Sequence, residues 1–348
     1  MQETKKVGYA VLGLGVGKSH ARAVLSSKNG KLVAVCDLLE EKLEKAKEDY
    51  GDILTYTDFE LMLKNPDIEI ISNCLPSAMH ADFTVRALEA GKHVLVEKPV
   101  DITVQAAEKI EAARKKTGLK VGVIHQNRFN ACMTPVKEAI DSGKLGKLIL
   151  GTFAVKWYRT QEYYDNGGWR GTWDMDGGGS LMNQAIHTVD LMQWLMGDVE
   201  SVTSHMGVFA HDIETEDMTA SLIKFKNGSS ATFVSTTCAY PGISTDVQVY
   251  GSKGSIEVNE DKLKLWAFLD EDEEESKKML DKYGAGNGSL TSLDPGLVVG
   301  HATQVHDIID AVLFDKEPLI TPNDAIKSVA IANAIYDSAR SGKTIYFE

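Results

Sequence analysis

Short aliphatic and β-branched runs alternate with stretches of helical spacing through the first 125 residues. The runs at 7–12, 32–36, 68–74, 93–96 and 120–124 predict strands. Between them, 21–27, 40–50, 78–90 and 103–117 carry apolar residues three and four apart and predict helices, with Gly51, Gly91 and Gly118 as stop signals. Strand and helix in strict alternation imply parallel βαβ units with right-handed crossovers, hence a doubly wound α/β sheet.

Beyond residue 125 the rhythm changes. Strands are expected at 148–157, 199–208, 220–225, 230–237, 245–250 and 254–258, with turns such as Asn227-Gly228 and Ser252-Lys253-Gly254 between them. Strands joined by tight turns make an open, largely antiparallel sheet, and helices at 179–195, 302–313 and 323–341 complete an α+β domain. The expected division is 1–125 for the first domain and 126–348 for the second, as a 348-residue length suggests. There are no internal repeats. The six acids Asp270 to Glu275 read as a solvated face.

Composition narrows the class without changing the fold. Hydrophobic residues at 43% and charged residues at 25% are ordinary globular usage. A net charge of −13 opposes extended contact with a phosphate backbone, so nucleic acid is excluded as an expected partner. Cys36, Cys74, Cys132 and Cys238 are too scattered for a disulfide framework and read as reduced thiols. The apolar run 7–16 is about half the length that spans a bilayer and is broken by glycines. A cytoplasmic protein with no membrane partner is expected.

Candidate chemistry lies in both halves of the chain. Gly13-Leu14-Gly15-Val16-Gly17 follows the first strand and opens a helix, where glycines let the backbone approach a pyrophosphate at the positive helix end. The usual third small residue falls one position early, at Gly17, and such a cluster by itself also fits a plain strand–helix turn. Asp37 closes the second strand twenty residues after Gly17, placed to accept both hydroxyls of an adenosine ribose. A carboxylate there repels a 2′-phosphate, and Leu38 and Leu39 offer no arginine, so NAD is favoured over NADP. Asn73 to His80, with Pro76 at its turn, and Glu97-Lys98-Pro99 lie at the ends of later strands, where open α/β sheets bind ligands. Glu97 and Lys98 also fit a mere surface ion pair.

A second glycine-rich segment, Gly177-Gly178-Gly179, brings the chain close to something, and the following helix places Asn183 and His187 on one face four residues apart. Asp190 fits either an orienting partner for the imidazole or a buried polar role. No second ligand has zinc spacing, so no metal site is expected. The segment 156–173 holds three of the five tryptophans and includes Tyr163, Trp169 and Arg170. Aromatic faces stack on pyranose rings and arginines clamp carboxylate or phosphate, although a packed loop or subunit interface is the plain alternative.

Together the glycine turn, the Pro76 to His80 turn, Glu97-Lys98-Pro99 and Gly177 to Asp190 resemble the Gfo/Idh/MocA oxidoreductases, named for glucose–fructose oxidoreductase and inositol dehydrogenase. The resemblance implies an NAD(P)-binding Rossmann domain, a C-terminal α+β domain, and oxidation or reduction of a sugar or polyol hydroxyl. By position it implies that Lys98 and His187 are catalytic. Asn183 stands where many members have aspartate, which leaves it as a hydrogen-bonding positioner. Gly13, Gly15, Val16, Gly17, Asp37, Pro76, His80, Glu97 and Lys98 are the expected cofactor contacts. Tyr163, Trp169, Arg170, Asn183, His187 and Lys98 are the expected substrate contacts. Members commonly form homodimers or homotetramers. The expected activity is NAD-dependent dehydrogenation of a sugar, glycoside, nucleotide sugar or polyol, carbon 3 of a pyranoside favoured. The alternatives are a glycoside lyase or hydrolase working through transient carbon-3 oxidation, and a non-catalytic NAD-binding sensor.

Overall fold

The computed structural model describes residues 6–285 and 299–348. The chain divides into two units, Met1–Gln126 with Asp294–Ile326, and Asn127–Leu293 with Lys327–Glu348. The first is built on β1 (Val7–Leu12), β2 (Gly30–Cys36), β3 (Leu54–Tyr56), β4 (Ile70–Asn73), β5 (His93–Val96) and β6 (Val121–Val123). All neighbours are parallel, in the order β3-β2-β1-β4-β5-β6. Every residue of β1 is buried, which is why it reads as a continuous apolar run and not as an alternation. Helices α1 (Gly17–Ser26), α2 (Glu40–Tyr50), α3 (Phe59–Leu63), α4 (His80–Glu89) and α5 (Val104–Thr117) complete this Rossmann arrangement. Strand order reverses between β1 and β4, so the carboxyl ends of these strands form the switch point at which such sheets bind ligands.

The second unit holds an eight-stranded sheet of β7 (Leu148–Lys156), β8 (Val199–Gly207), β9 (Met218–Phe225), β10 (Ser230–Thr236), β11 (Ser244–Gly251), β12 (Gly254–Asn259), β13 (Lys262–Phe268) and β14 (Ile345–Tyr346). Its order is β13-β12-β11-β7-β10-β9-β8-β14, antiparallel throughout except where β7 lies beside β10. Along β9, Thr219, Ser221, Ile223 and Phe225 are buried while Ala220, Leu222 and Lys224 are exposed, the period-two signature of a half-covered sheet. The unit also contains α6 (Met133–Asp141), α7 (Gln161–Asp165), α8 (Ile186–Met196) and α9 (Glu273–Tyr283). The acidic run has a local use, since the Asp272 carboxylate accepts from the Glu275 N–H and the glutamates occupy the first turn of α9. The β12–β13 hairpin is absent from the sequence reading because its turn places Glu260 at φ +57°, a conformation glutamate does not advertise.

One boundary differs from the expectation. Cutting the chain once after residue 125 assigns α10 (Val299–Leu313) and all of α11 (Pro322–Ser341) to the second domain. In the structure α10 belongs to the first unit, where Ala302, Val305, Ile308 and Ile309 are buried in one core with Tyr9, Val24 and their neighbours. The Gln304 side chain fastens it, donating to the Val123 carbonyl at 2.8 Å and accepting from the His125 N–H at 2.8 Å. Helical periodicity shows that α10 has an apolar face, not which core that face enters.

Candidate active site

The first unit assembles its expected residues at the carboxyl ends of β1, β2, β4 and β5. Each glycine of the first turn has its own physical reason. Gly13 has φ +87°, and a Cβ there meets the Cys74 carbonyl at 2.7 Å. A Cβ on Gly17 meets Val11 at 2.7 Å, so this residue supplies the close helix–strand packing usually given by a third glycine one position later. A Cβ on Gly15 meets nothing within 4 Å, which leaves open space where backbone N–H groups and the positive end of α1 face outward beside the exposed Val16. These residues fit a pyrophosphate.

Asp37 secures this turn. Its Oδ2 accepts from the Leu14 N–H at 2.8 Å and its Oδ1 from the Leu39 N–H at 3.0 Å, while Lys42 Nζ lies 3.2 Å away. Burial raises its pKa, but the two backbone donors and the Lys42 ammonium outweigh that and hold the carboxyl below its ordinary value. Sequence reasoning missed Lys42, which α2 brings back to Asp37. NAD is expected to bind at least about tenfold more tightly than NADP, roughly 1.4 kcal/mol. Asp37→Ala removes the repulsive carboxylate and leaves Lys42 to meet a 2′-phosphate, so calorimetric titration of both cofactors should show the gap narrow. Equal affinities in the parent protein contradict this reading of Asp37.

His80 and Glu97, expected as cofactor contacts, are held by bonds within the unit. Both are buried, with their polar atoms committed inside the unit. His80 lies between two carbonyls, Nδ1 at 2.6 Å from Pro99 O and Nε2 at 2.9 Å from Leu75 O, and so ties the Pro76 turn to the loop after Lys98. Glu97, 3% exposed, faces His20 of α1 at 2.9 Å and His301 of α10 at 3.2 Å through Oε1, and accepts from the Lys98 N–H at 3.0 Å through Oε2. Burial raises the Glu97 pKa, yet the two imidazoles hold it well below the usual carboxylate range. The line continues from His20 Nδ1 to Ser72 and on to Tyr9. Glu97 is therefore not half of a surface ion pair. It fixes the backbone from which half-buried Lys98 departs.

In the second unit the triple glycine has a structural cause. A Cβ on Gly178, at φ +157°, meets the Tyr336 hydroxyl at 1.9 Å, and one on Gly179 meets the Glu216 carbonyl at 2.1 Å. The chain passes between these groups and enters a π-helical turn, Ser180–Ala185, before settling into α8. Such turns frequently mark functional sites. Glu216 caps the turn: Oε1 accepts from the Leu181 N–H at 2.8 Å and the Tyr336 hydroxyl at 3.2 Å, and Oε2 from the Gly179 N–H at 3.1 Å. Burial raises its pKa, opposed by these donors.

The widened turn presents Asn183, and His187 lies in the first turn of α8, both buried. Asn183 donates through Nδ2 to the Asp176 carboxylate, which also accepts from the Gly171 N–H at 2.9 Å. Its Oδ1 accepts from Gln184 Nε2 at 2.7 Å, which lies 2.6 Å from the Tyr163 hydroxyl. Asp190 takes the buried polar role, gripped in a fork by Arg128 at 2.6 and 2.7 Å. Tyr163, Trp169 and Arg170 do come together, with the Arg170 guanidinium 4.8 Å from the Tyr163 ring centre and 4.9 Å from that of Trp169. The indole N–H groups of Trp157 and Trp173 donate to Thr245 and to the Glu214 carbonyl. Besides Lys42, the residues missed by sequence reasoning are His20, His301, Asp176, Gln184 and Glu216. Gln184, beside Asn183, and Lys42, five residues from Asp37, were the ones with a local signal.

Two family models match this architecture: an oxidoreductase family with an NAD-binding Rossmann fold over residues 7–125, and the GFO/IDH/MocA C-terminal domain over residues 133–257. The chain belongs to the Gfo/Idh/MocA oxidoreductase family, and is an NAD-dependent dehydrogenase. It is similar to the WlbA dehydrogenase of Bordetella pertussis, solved in complex with NADH and UDP-GlcNAcA, at 30% identity and a TM-score of 0.90, covering 99% of this chain and 98% of that one. It is 24% identical over 350 residues to scyllo-inositol 2-dehydrogenase (NAD(+)) of Bacillus subtilis, covering 99% of this chain and 97% of the relative. A 1-carboxy-3-chloro-3,4-dihydroxycyclo hexa-1,5-diene dehydrogenase of Comamonas testosteroni is 32% identical over 227 residues, which span 63% of this chain and 55% of the relative. Among the described residues no helix is long and apolar enough to cross a membrane.

Proposed function

We propose that the protein oxidises a secondary hydroxyl of a sugar, glycoside, nucleotide sugar or polyol, with carbon 3 of a pyranoside favoured. The observation that carries this reading is the helix opening of the second unit, where Asn183 is locked by Asp176 and Gln184 on the turn that leads into His187. The names of the relatives, a UDP-GlcNAcA-bound dehydrogenase and an inositol dehydrogenase, support the substrate class.

Bound NAD supplies the hydride acceptor for the carbinol carbon. His187 takes the hydroxyl proton, since imidazole titrates nearest neutral pH among the side chains at hand. The Lys98 ammonium donates to the substrate oxygen and stabilises charge as the carbonyl forms. Asn183 has its amide held on both sides, so it orients substrate and does not move a proton. Tyr163 and Trp169 offer ring faces to the sugar. A homodimer or homotetramer belongs to the same reading, with the exposed side of β9 as its natural contact.

A panel of sugars, glycosides, nucleotide sugars and polyols tests this by NADH absorbance, with product analysis for every compound. Stoichiometric NADH and a keto product are expected. Consumption of a glycoside with release of its aglycone and no net NADH would establish the transient-oxidation lyase instead.

A further inference from the structure

We propose that Arg159 recognises an anionic group of the substrate, a carboxylate or phosphate oxygen pair, and that this contact is relayed to the Asn183 turn through Gln184. The inference rests on the sugar-dehydrogenase reading and adds a charge to its substrate.

In a chain of net charge −13, a partly buried cation ordinarily finds a carboxylate. Arg86, Arg114 and Arg128 do so, with Glu60, Glu111 and Asp190. Among the described residues Arg159 has no such counter-ion. Its guanidinium lies 5.1 Å from the Trp157 ring centre and 5.3 Å from that of Tyr163, aromatic contacts that hold a planar cation in place without neutralising it. Of the five N–H groups of an arginine, Nη1 donates to the Tyr158 carbonyl at 3.2 Å and Nη2 to Gln184 Oε1 at 3.0 Å. Nε is buried and has no acceptor among the described residues. A charged donor removed from water and left unsatisfied is costly, and one N–H on each of Nη1 and Nη2 is left over from these bonds, a pair able to make a charge-assisted, two-pronged contact.

The placement ties that contact to the chemistry. Gln184 accepts from Arg159 with Oε1 and donates to Asn183 Oδ1 with Nε2, so only one side chain separates the cation from the residue that orients the substrate. Arg170 is the arginine that the sequence suggests for this task. It donates to the Asn166 carbonyl at 2.7 Å and shares the Tyr163 ring, but has no hydrogen bond to the helix. Arg170 and Trp169 then serve the body of the sugar, and Arg159 its charge.

The test reads binding, not turnover. The NADH complexes of the parent protein, Arg159→Gln, Arg159→Lys and Arg170→Gln are titrated with glucose, glucuronate, glucose 6-phosphate and UDP-glucose, following tryptophan fluorescence and calorimetric heat. At least one anionic sugar is expected to bind about tenfold or more tightly than glucose, and which one it is separates a carboxylate from a phosphate source. Arg159→Gln should abolish the difference, Arg159→Lys should keep part of it, and Arg170→Gln should weaken charged and neutral sugars alike. Equal binding of charged and neutral sugars by the parent, or a preference that survives in Arg159→Gln, overturns the proposal. If no sugar of any charge yields NADH, the dehydrogenase reading of the substrate falls, while these binding ratios still decide the role of Arg159.

Discussion

Alanine at His187 is expected to lower kcat by at least about a hundredfold, with NAD affinity near the parent value, and Lys98→Ala to do the same. The two reach this outcome for different reasons. His187 is buried in the first turn of α8, behind a turn whose backbone is held by Glu216 and Tyr336, so its loss removes a proton acceptor without disturbing the frame. Lys98 leaves a backbone anchored by the Glu97 carboxylate, so truncating its side chain removes a cation and leaves the loop in place. Asn183→Ala should act more on KM than on kcat, because an orienting amide contributes to binding in ground and transition states alike. Steady-state kinetics on the best substrate of the panel, together with calorimetric NAD titration, separate these cases. Near-normal turnover in either alanine variant removes that residue from the mechanism.

Arg128→Ala should destabilise the protein by about 3–5 kcal/mol, the usual cost of stripping one partner from a buried ion pair. Asp190 is almost wholly buried on α8, and Arg128 supplies it with two short charge-assisted bonds while lying 5.3 Å from the Trp194 ring centre. Removing the arginine deletes the counter-charge and a patch of aromatic packing together. A paired change, Arg128→Met with Asp190→Leu, should recover much of the loss, since two apolar groups of similar volume need no compensation. Urea unfolding of the single and double variants reads the difference. A single-variant loss below about 1 kcal/mol would place this fork among the weak surface pairs.

How much of the site could be read from residues alone follows from the range of the contacts. The glycine turn is local, and Asp37 meets it across a single β–α–β unit, Leu14 to Asp37 being 23 residues apart, so the pattern survives in the one-dimensional string as a fixed spacing. The helix with Asn183 and His187 was visible for the same reason. Its support was not, because Glu216 lies 37 residues beyond Gly179 and Tyr336 lies 154 beyond Met182. Glu97 meets His301 across 204 residues. No periodicity links such positions; only the folded sheet brings them together. The glycines at 177–179 were legible as a close approach, while what they approach, a tyrosine hydroxyl and a backbone carbonyl of the same chain, was not.

The late return of α10 to the first unit also sets the order in which the protein can be completed. The six parallel strands have all been synthesised once Val123 is made, yet the helix that covers Val305, Ile308 and Ile309 against Tyr9 and Val24 ends at Leu313. At typical elongation of roughly 5–20 residues per second, those last 190 or so residues occupy on the order of 10–40 s. For that interval the nascent sheet carries an uncovered apolar face, and the second unit, apart from α11 and β14, emerges before the first is whole. The dinucleotide-binding unit is in this sense completed late although its strands come first, and a chain that stops anywhere before α10 lacks the residues that cover this part of its core.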